Sequence, residues 1–140
     1  MDIQEYITNS AQQTRELGKK LAQEMLSVSV VAMYGDLGAG KTAFISGVAE
    51  GFCCRQKASS PTYNIVNEYY GTRRVCHFDM YRITDSDRLY EIGWEEYIES
   101  DALCLVEWSE NIEDALPRDA WKIVIEKLSE TDRKIRVIKC

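Results

Sequence analysis

The sequence predicts a three-layer α/β domain whose mixed, mainly parallel sheet carries hairpin additions. Three observations predict it. Residues Val28, Ser29, Val30, Val31, Ala32, Met33 and Tyr34 form a mostly apolar, β-branched run, as in a strand covered on both faces, and a helical pattern follows across a glycine-rich segment. Ala102, Leu103, Cys104, Leu105 and Val106 form a second such run. Two further stretches, 63–81 and 121–138, each divide around turn residues into two strand-like halves, the pattern of hairpins.

Taken in order, Ala11, Thr14, Leu17, Leu21, Ala22 and Met25 recur at helical spacing, so an amphipathic helix is expected from Ser10 to Leu26, with Ser10 or Asn9 as its cap. The run 28–34 is the expected central strand. Thr42 to Phe52 reads as a helix, and 57–62 as a polar loop broken by Pro61. Strands at 63–70 and 74–81 meet at a turn on Gly71 and Thr72. The polar, acidic stretch 84–100, with Leu89, Tyr90, Trp94 and Tyr97 at intervals, predicts one or two short helices around Gly93. The strand at 102–106 ends at Glu107 and Trp108. Residues 121–128 and 134–138 form a closing hairpin across Ser129, Glu130, Thr131 and Asp132.

A chain of 140 residues, 45% hydrophobic, has the material for one core, so a single domain over 1–140 is expected. Its net charge of −6, from 23 acidic and 17 basic residues, argues against gripping nucleic acid through a basic surface, and no direct DNA binding is expected. Cys53, Cys54, Cys76, Cys104 and Cys140 form no C-x-x-C pair, and there is one histidine, so the composition offers no zinc site. Cys76 and Cys104 sit in apolar runs, where reduced cysteine acts as a small hydrophobe; with an odd cysteine count this predicts a reducing, cytoplasmic setting. No stretch has the roughly 18 apolar residues of a membrane span, and no membrane role is expected.

Gly35, Asp36, Leu37, Gly38, Ala39, Gly40, Lys41 and Thr42 fit G-x-x-x-x-G-K-[ST], between the predicted buried strand and helix. Glycines at 35, 38 and 40 permit turns that aim successive N–H groups at phosphate oxygens, and the helix adds the positive end of its dipole. Lys41 supplies a charged donor for the β- and γ-phosphates, and the Thr42 hydroxyl is a magnesium ligand. The pattern makes the fold P-loop NTPase-like. The competing reading is a glycine-rich turn followed by a surface lysine.

Such a site also needs a carboxylate from a neighbouring strand. Period two puts His77, Asp79 and Tyr81 on one strand face and Cys76, Phe78 and Met80 on the other. Asp79 and Glu107, each at a strand end, are the candidate magnesium ligands; the bland alternatives are a turn-capping aspartate and a solvated helix-start glutamate. His77 reads first as a hydrogen-bonded structural residue. Trp108 is placed to pack or to cover the nucleotide. Ser59, Ser60, Pro61 and Thr62 resemble a loop that senses a γ-phosphate.

ATP is favoured over GTP because no Asn/Thr-Lys-x-Asp segment follows the loop. A small-molecule kinase, with Arg73, Arg74, Arg82 and Arg88 in a lid, and a non-catalytic ATP-gated interaction protein are the alternatives to an ATPase.

Together the phosphate motif, Ser60-Pro61-Thr62-Tyr63, His77-Phe78-Asp79-Met80-Tyr81-Arg82 and Val106-Glu107-Trp108 resemble, in order and spacing, the bacterial tRNA threonylcarbamoyladenosine biosynthesis ATPase family, TsaE. The resemblance implies a magnesium-dependent ATPase, feeble alone, that associates with the TsaD–TsaB heterodimer and meets tRNA only through that complex. Carried over by motif position, Gly38, Ala39, Gly40, Lys41 and Thr42 would wrap the phosphates, and Thr42 and Glu107 would hold magnesium. Asp79 would lie at the metal or assist the attacking water. Thr62 would belong to the switch-like loop, Trp108 would lie near the nucleotide, and Thr14 would approach the adenine.

Overall fold

The computed structural model describes residues 2–35, 39–55, 65–81, 83 and 86–139. Their strands form one seven-stranded sheet in the order β1-β7-β6-β2-β5-β4-β3. These are β1 (Asp2–Thr8), β2 (Val30–Tyr34), β3 (Val66–Tyr69), β4 (Val75–Asp79), β5 (Leu103–Glu107), β6 (Trp121–Lys127) and β7 (Arg133–Lys139). The four central strands β6, β2, β5 and β4 run parallel to one another. Antiparallel pairing adds β3 at one side and β7 then β1 at the other. Both predicted hairpins are present, and the 28–34 run supplies the middle strand.

Side-chain alternation divides the core into two layers. Val31 and Met33 of β2, Leu103 and Leu105 of β5, and Ile123 and Ile125 of β6 pack with Leu21 of helix α1 (Ala11–Ala22), Met25 just beyond it, and Phe44 and Val48 of helix α2 (Lys41–Gly51). On the other face Cys76, Phe78, Cys104 and Val106 pack with Leu89, Trp94 and Ile112, from α3 (Ser86–Glu91), α4 (Trp94–Glu99) and a 3-10 helix at Ser109–Ala115. Phe78 is met edge-on by Trp94 and Tyr97, at 5.2 and 5.0 Å between ring centroids. Cys76 and Cys104 are buried neighbours in register, and burial pushes their thiols up to about 11 and 12. They behave as the inert hydrophobes that their apolar runs imply.

Helix α1 starts at the predicted cap, where Ser10 Oγ accepts from the Gln13 amide at 3.1 Å. It ends at Ala22, earlier than the pattern suggests, because 23–28 turn back toward β2 through the bonds Met25 N–H to Ala22 O and Val28 N–H to Met25 O. The two helices cross at backbone contact: a Cβ on Gly47 would lie 1.9 Å from Arg15 O. No rotamer relieves a clash with a carbonyl oxygen, so Gly47→Ala is expected to cost about 3 kcal/mol and lower the melting temperature by about 10 °C in a thermal scan. This contact fixes the direction of α2, whose first residue is Lys41.

Strand β1 precedes every element that the sequence pattern predicts. It pairs with β7 along its whole length, from Asp2 opposite Lys139 to Thr8 opposite Arg133. Arg73 and Arg74, the first two arginines of the predicted kinase lid, serve the fold instead. The Arg73 guanidinium donates to Met25 O, Val28 O and Asp101 O at 2.7 to 2.9 Å, and Arg74 pairs with Glu68 at 2.9 Å. Among the described residues no helix is long and apolar enough to cross a membrane.

Candidate functional site

The site lies at the C-terminal ends of β2, β4 and β5, on the sheet face covered by α2. Strand β2 delivers the chain to Gly35, whose φ of 143° leaves room for Ile125 O, 2.6 Å from where a Cβ would stand. Asp36 and Gly38 of the predicted phosphate motif, and Thr62 with its Ser59–Thr62 loop, lie outside the described residues. The chain continues at Ala39, buried, and Gly40, which starts α2 in the left-handed region at φ 103° with no side-chain cap. The first turn of α2 contains no acidic residue. Its leading amides are thus donors that an anion can satisfy, and the helix dipole favours one there.

Lys41 is only 6% exposed, which removes the surface-lysine reading. Its ammonium donates to Gly35 O at 2.7 Å, stands 4.0 Å from Glu107 Oε1, and lies 5.3 Å from the centroid of the Trp108 ring. Thr42, one residue on, is exposed at the helix start. Glu107, also 6% exposed, is the last residue of β5 and no solvated helix start. Its second oxygen, Oε2, lies 2.6 Å from His77 Nε2.

The parallel register of β4 and β5 sets Asp79 directly beside Glu107. One Asp79 oxygen accepts from the Tyr81 amide at 3.0 Å, so the turn-capping role anticipated for this residue is real and occupies one oxygen. Two further contacts hold the strand ends together. The Met80 amide donates to Glu107 O at 3.1 Å, and Asn111 Nδ2 donates to Met80 O at 2.8 Å.

Trp108 turns the chain out of β5 with φ 58°, a left-handed conformation that costs a bulky residue roughly 1–2 kcal/mol. The turn lays its ring between Lys41 and Tyr81, the latter 4.9 Å away between centroids. Thr14 is buried on α1, where its hydroxyl shares a 2.7 Å hydrogen bond with Thr8 and its methyl faces Gly40.

Among the described residues no three His, Cys, Asp or Glu side chains cluster as a metal cage. The oxygen donors carried by these elements, the Glu107 and Asp79 carboxylates in register and the Thr42 hydroxyl one residue beyond Lys41, are hard ligands. That set fits magnesium, which keeps several waters and takes few protein ligands when it accompanies a phosphate.

Sequence reasoning missed Arg133. This residue begins β7, and its Nε donates to Ala39 O at 3.0 Å, tying the closing hairpin to the glycine-rich segment. Nothing in a motif links positions 94 residues apart. His77, read from the sequence as a hydrogen-bonded structural residue, is fully buried and bonded to Glu107.

Comparison with known proteins gives this geometry a family. The model of the family described as threonylcarbamoyl adenosine biosynthesis protein TsaE matches residues 8–135. The chain belongs to the TsaE family. Among its TsaE relatives, the tRNA threonylcarbamoyladenosine biosynthesis protein TsaE of Bacillus subtilis is 36% identical over 129 residues, covering 91% of this chain and 80% of that protein. The TsaE of Treponema pallidum is 31% identical over 131 residues, covering 94% and 97%. The crystal structure of Bacillus subtilis YdiB superposes with a TM-score of 0.81 at 31% identity, covering 99% of this chain and 86% of that one. The fold expected from the sequence is therefore the fold of a TsaE relative.

Proposed function

We propose that this chain is a magnesium-dependent ATPase that supports the threonylcarbamoyl modification of tRNA adenosine in association with the TsaD–TsaB pair. The observation that carries the reading is the convergence of a buried lysine at the start of α2 with carboxylates at two adjacent strand ends, Glu107 lying 4.0 Å from Lys41 and Asp79 beside it in register. Lys41 and Glu107 are costly to bury, and Asp79 stands half-buried beside them; a triphosphate with its cation is a ligand that this concentration of charge suits.

In this reading the amides of 39–42 and the Lys41 ammonium bind the β- and γ-phosphates, with Gly35, Asp36 and Gly38 shaping the loop around them. Thr42, Glu107 and Asp79 are the side chains that would hold magnesium, which supplies charge neutralisation at the phosphates when bound. Asp79 has one oxygen beyond its turn bond to orient a water in line with the γ-phosphate. Trp108 screens this side from bulk water, Thr14 stands toward the adenine side, and Thr62 belongs to a loop that reports the γ-phosphate. The acidic surface suits a protein that meets tRNA through its partners, in the cytoplasm.

The test is phosphate release from ATP and magnesium by the chain alone, with the TsaD–TsaB pair, and with small-molecule acceptors. Slow release alone that accelerates with the pair is expected. Stoichiometric transfer to an acceptor would establish the kinase instead, and no release even with the pair would leave an ATP-gated binder.

A further inference from the structure

His77 opens one of the segments that carry the family resemblance but has no role assigned to it; fully buried, it makes the shortest polar contact among the described residues of the site, Nε2 to Glu107 Oε2 at 2.6 Å. Its other ring nitrogen, Nδ1, is buried with no hydrogen-bond partner among the described residues. A buried lone pair is a smaller loss than a buried N–H, and two acceptors cannot face each other at this distance, so the ring proton belongs on Nε2, donated to Glu107. The donation divides the carboxylate. Oε2 is held by the ring, and Oε1 is left on the side of Lys41, 4.0 Å away.

We propose that His77 is a positioning residue: its Nε2–H clamps the Glu107 carboxylate so that Oε1 is presented to the cation that accompanies the phosphates. The inference rests on the reading that Glu107 holds magnesium. The backbone supports the clamp. His77 sits in register with Leu105 on the adjacent parallel strand, which fixes its backbone, and its ring is fully buried, so the packed core around it limits how far it can follow a carboxylate that swings away. A glutamate at a strand end otherwise samples several rotamers, of which few serve a metal that demands near-octahedral geometry.

Two measurements test it. The chain has one histidine, so a 15N spectrum of the imidazole reads this ring alone. A proton bonded to Nε2 is expected; a ring protonated only at Nδ1 overturns the proposal without any variant. The second measurement is ATP affinity in EDTA and in magnesium for His77→Leu and His77→Gln. Leucine fills the space without a donor, whereas the glutamine amide nitrogen falls near the position of Nε2.

His77→Leu is expected to bind ATP in EDTA as the parent does and to lose about tenfold of the tightening that magnesium gives, with most of it restored in His77→Gln. Unchanged magnesium tightening in His77→Leu, or equal loss in both variants, would show a residue that only fills the core. Failure of the underlying reading looks different: the parent protein itself would bind ATP identically with and without magnesium, and the role of His77 would fall with it.

Discussion

Lys41→Met is expected to weaken ATP binding about a hundredfold or more, measured by calorimetry, while the far-UV circular dichroism stays that of the parent. The lysine offers charge-assisted hydrogen bonds to two phosphates, each worth about 1.5–3 kcal/mol, and losing both corresponds to two or more powers of ten in affinity. Methionine retains the aliphatic stem beside Trp108 and removes only the ammonium, which donates to Gly35 O at 2.7 Å. Glu107 keeps His77 as a partner in this variant, so no acid is left bare. Retained affinity would mean that the lysine serves the loop carbonyl and not a ligand.

Glu107→Gln is the second large effect. Its amide oxygen still accepts from His77, and its volume is that of glutamate, so the fold should stand. What disappears is one negative charge on the cation side of the site. ATP affinity in EDTA is expected to hold or rise, because a carboxylate 4.0 Å from the lysine no longer competes with phosphate. Turnover of ATP with the TsaD–TsaB pair should fall by about a hundredfold to a thousandfold, equivalent to about 3–4 kcal/mol in the barrier. A variant with parent turnover would remove Glu107 from the chemistry and leave Asp79 as the acid that matters.

The fold was legible where burial imposes a pattern. The runs at 28–34 and 102–106 lie at the middle of the sheet with helices on both faces, so every position wants an apolar side chain and the strand is visible as a block. Strand β1 was hidden for the opposite reason. Its apolar residues Ile3 and Ile7 point outward at 54% and 58% exposure, whereas Gln4, Tyr6 and Thr8 face the α1 side. Pairing with β7, far along the chain, holds it in place, and such pairing leaves no local pattern.

The site divides in the same way. Lys41 and Thr42 are nominated by a local motif, and Asp79 and Glu107 by their positions at strand ends, so each candidate is named from its own segment. The Arg133 bond to Ala39 and the His77 bond to Glu107 depend on which strands become neighbours, a fact settled by packing of the whole sheet. The half-buried Arg73 belongs with them, since its carbonyl partners come from two separate chain segments.

A crystal structure grown with magnesium and a slowly hydrolysed ATP analogue would show whether the start of α2 and the ends of β4 and β5 together make the nucleotide site. The expected density has the β- and γ-phosphates against the amides at the start of α2, the Lys41 ammonium turned from Gly35 O onto them, and the Glu107 and Asp79 carboxylates on the side of the cation. A triphosphate bound elsewhere on the sheet, or bound here with both carboxylates turned away from its cation, would contradict it.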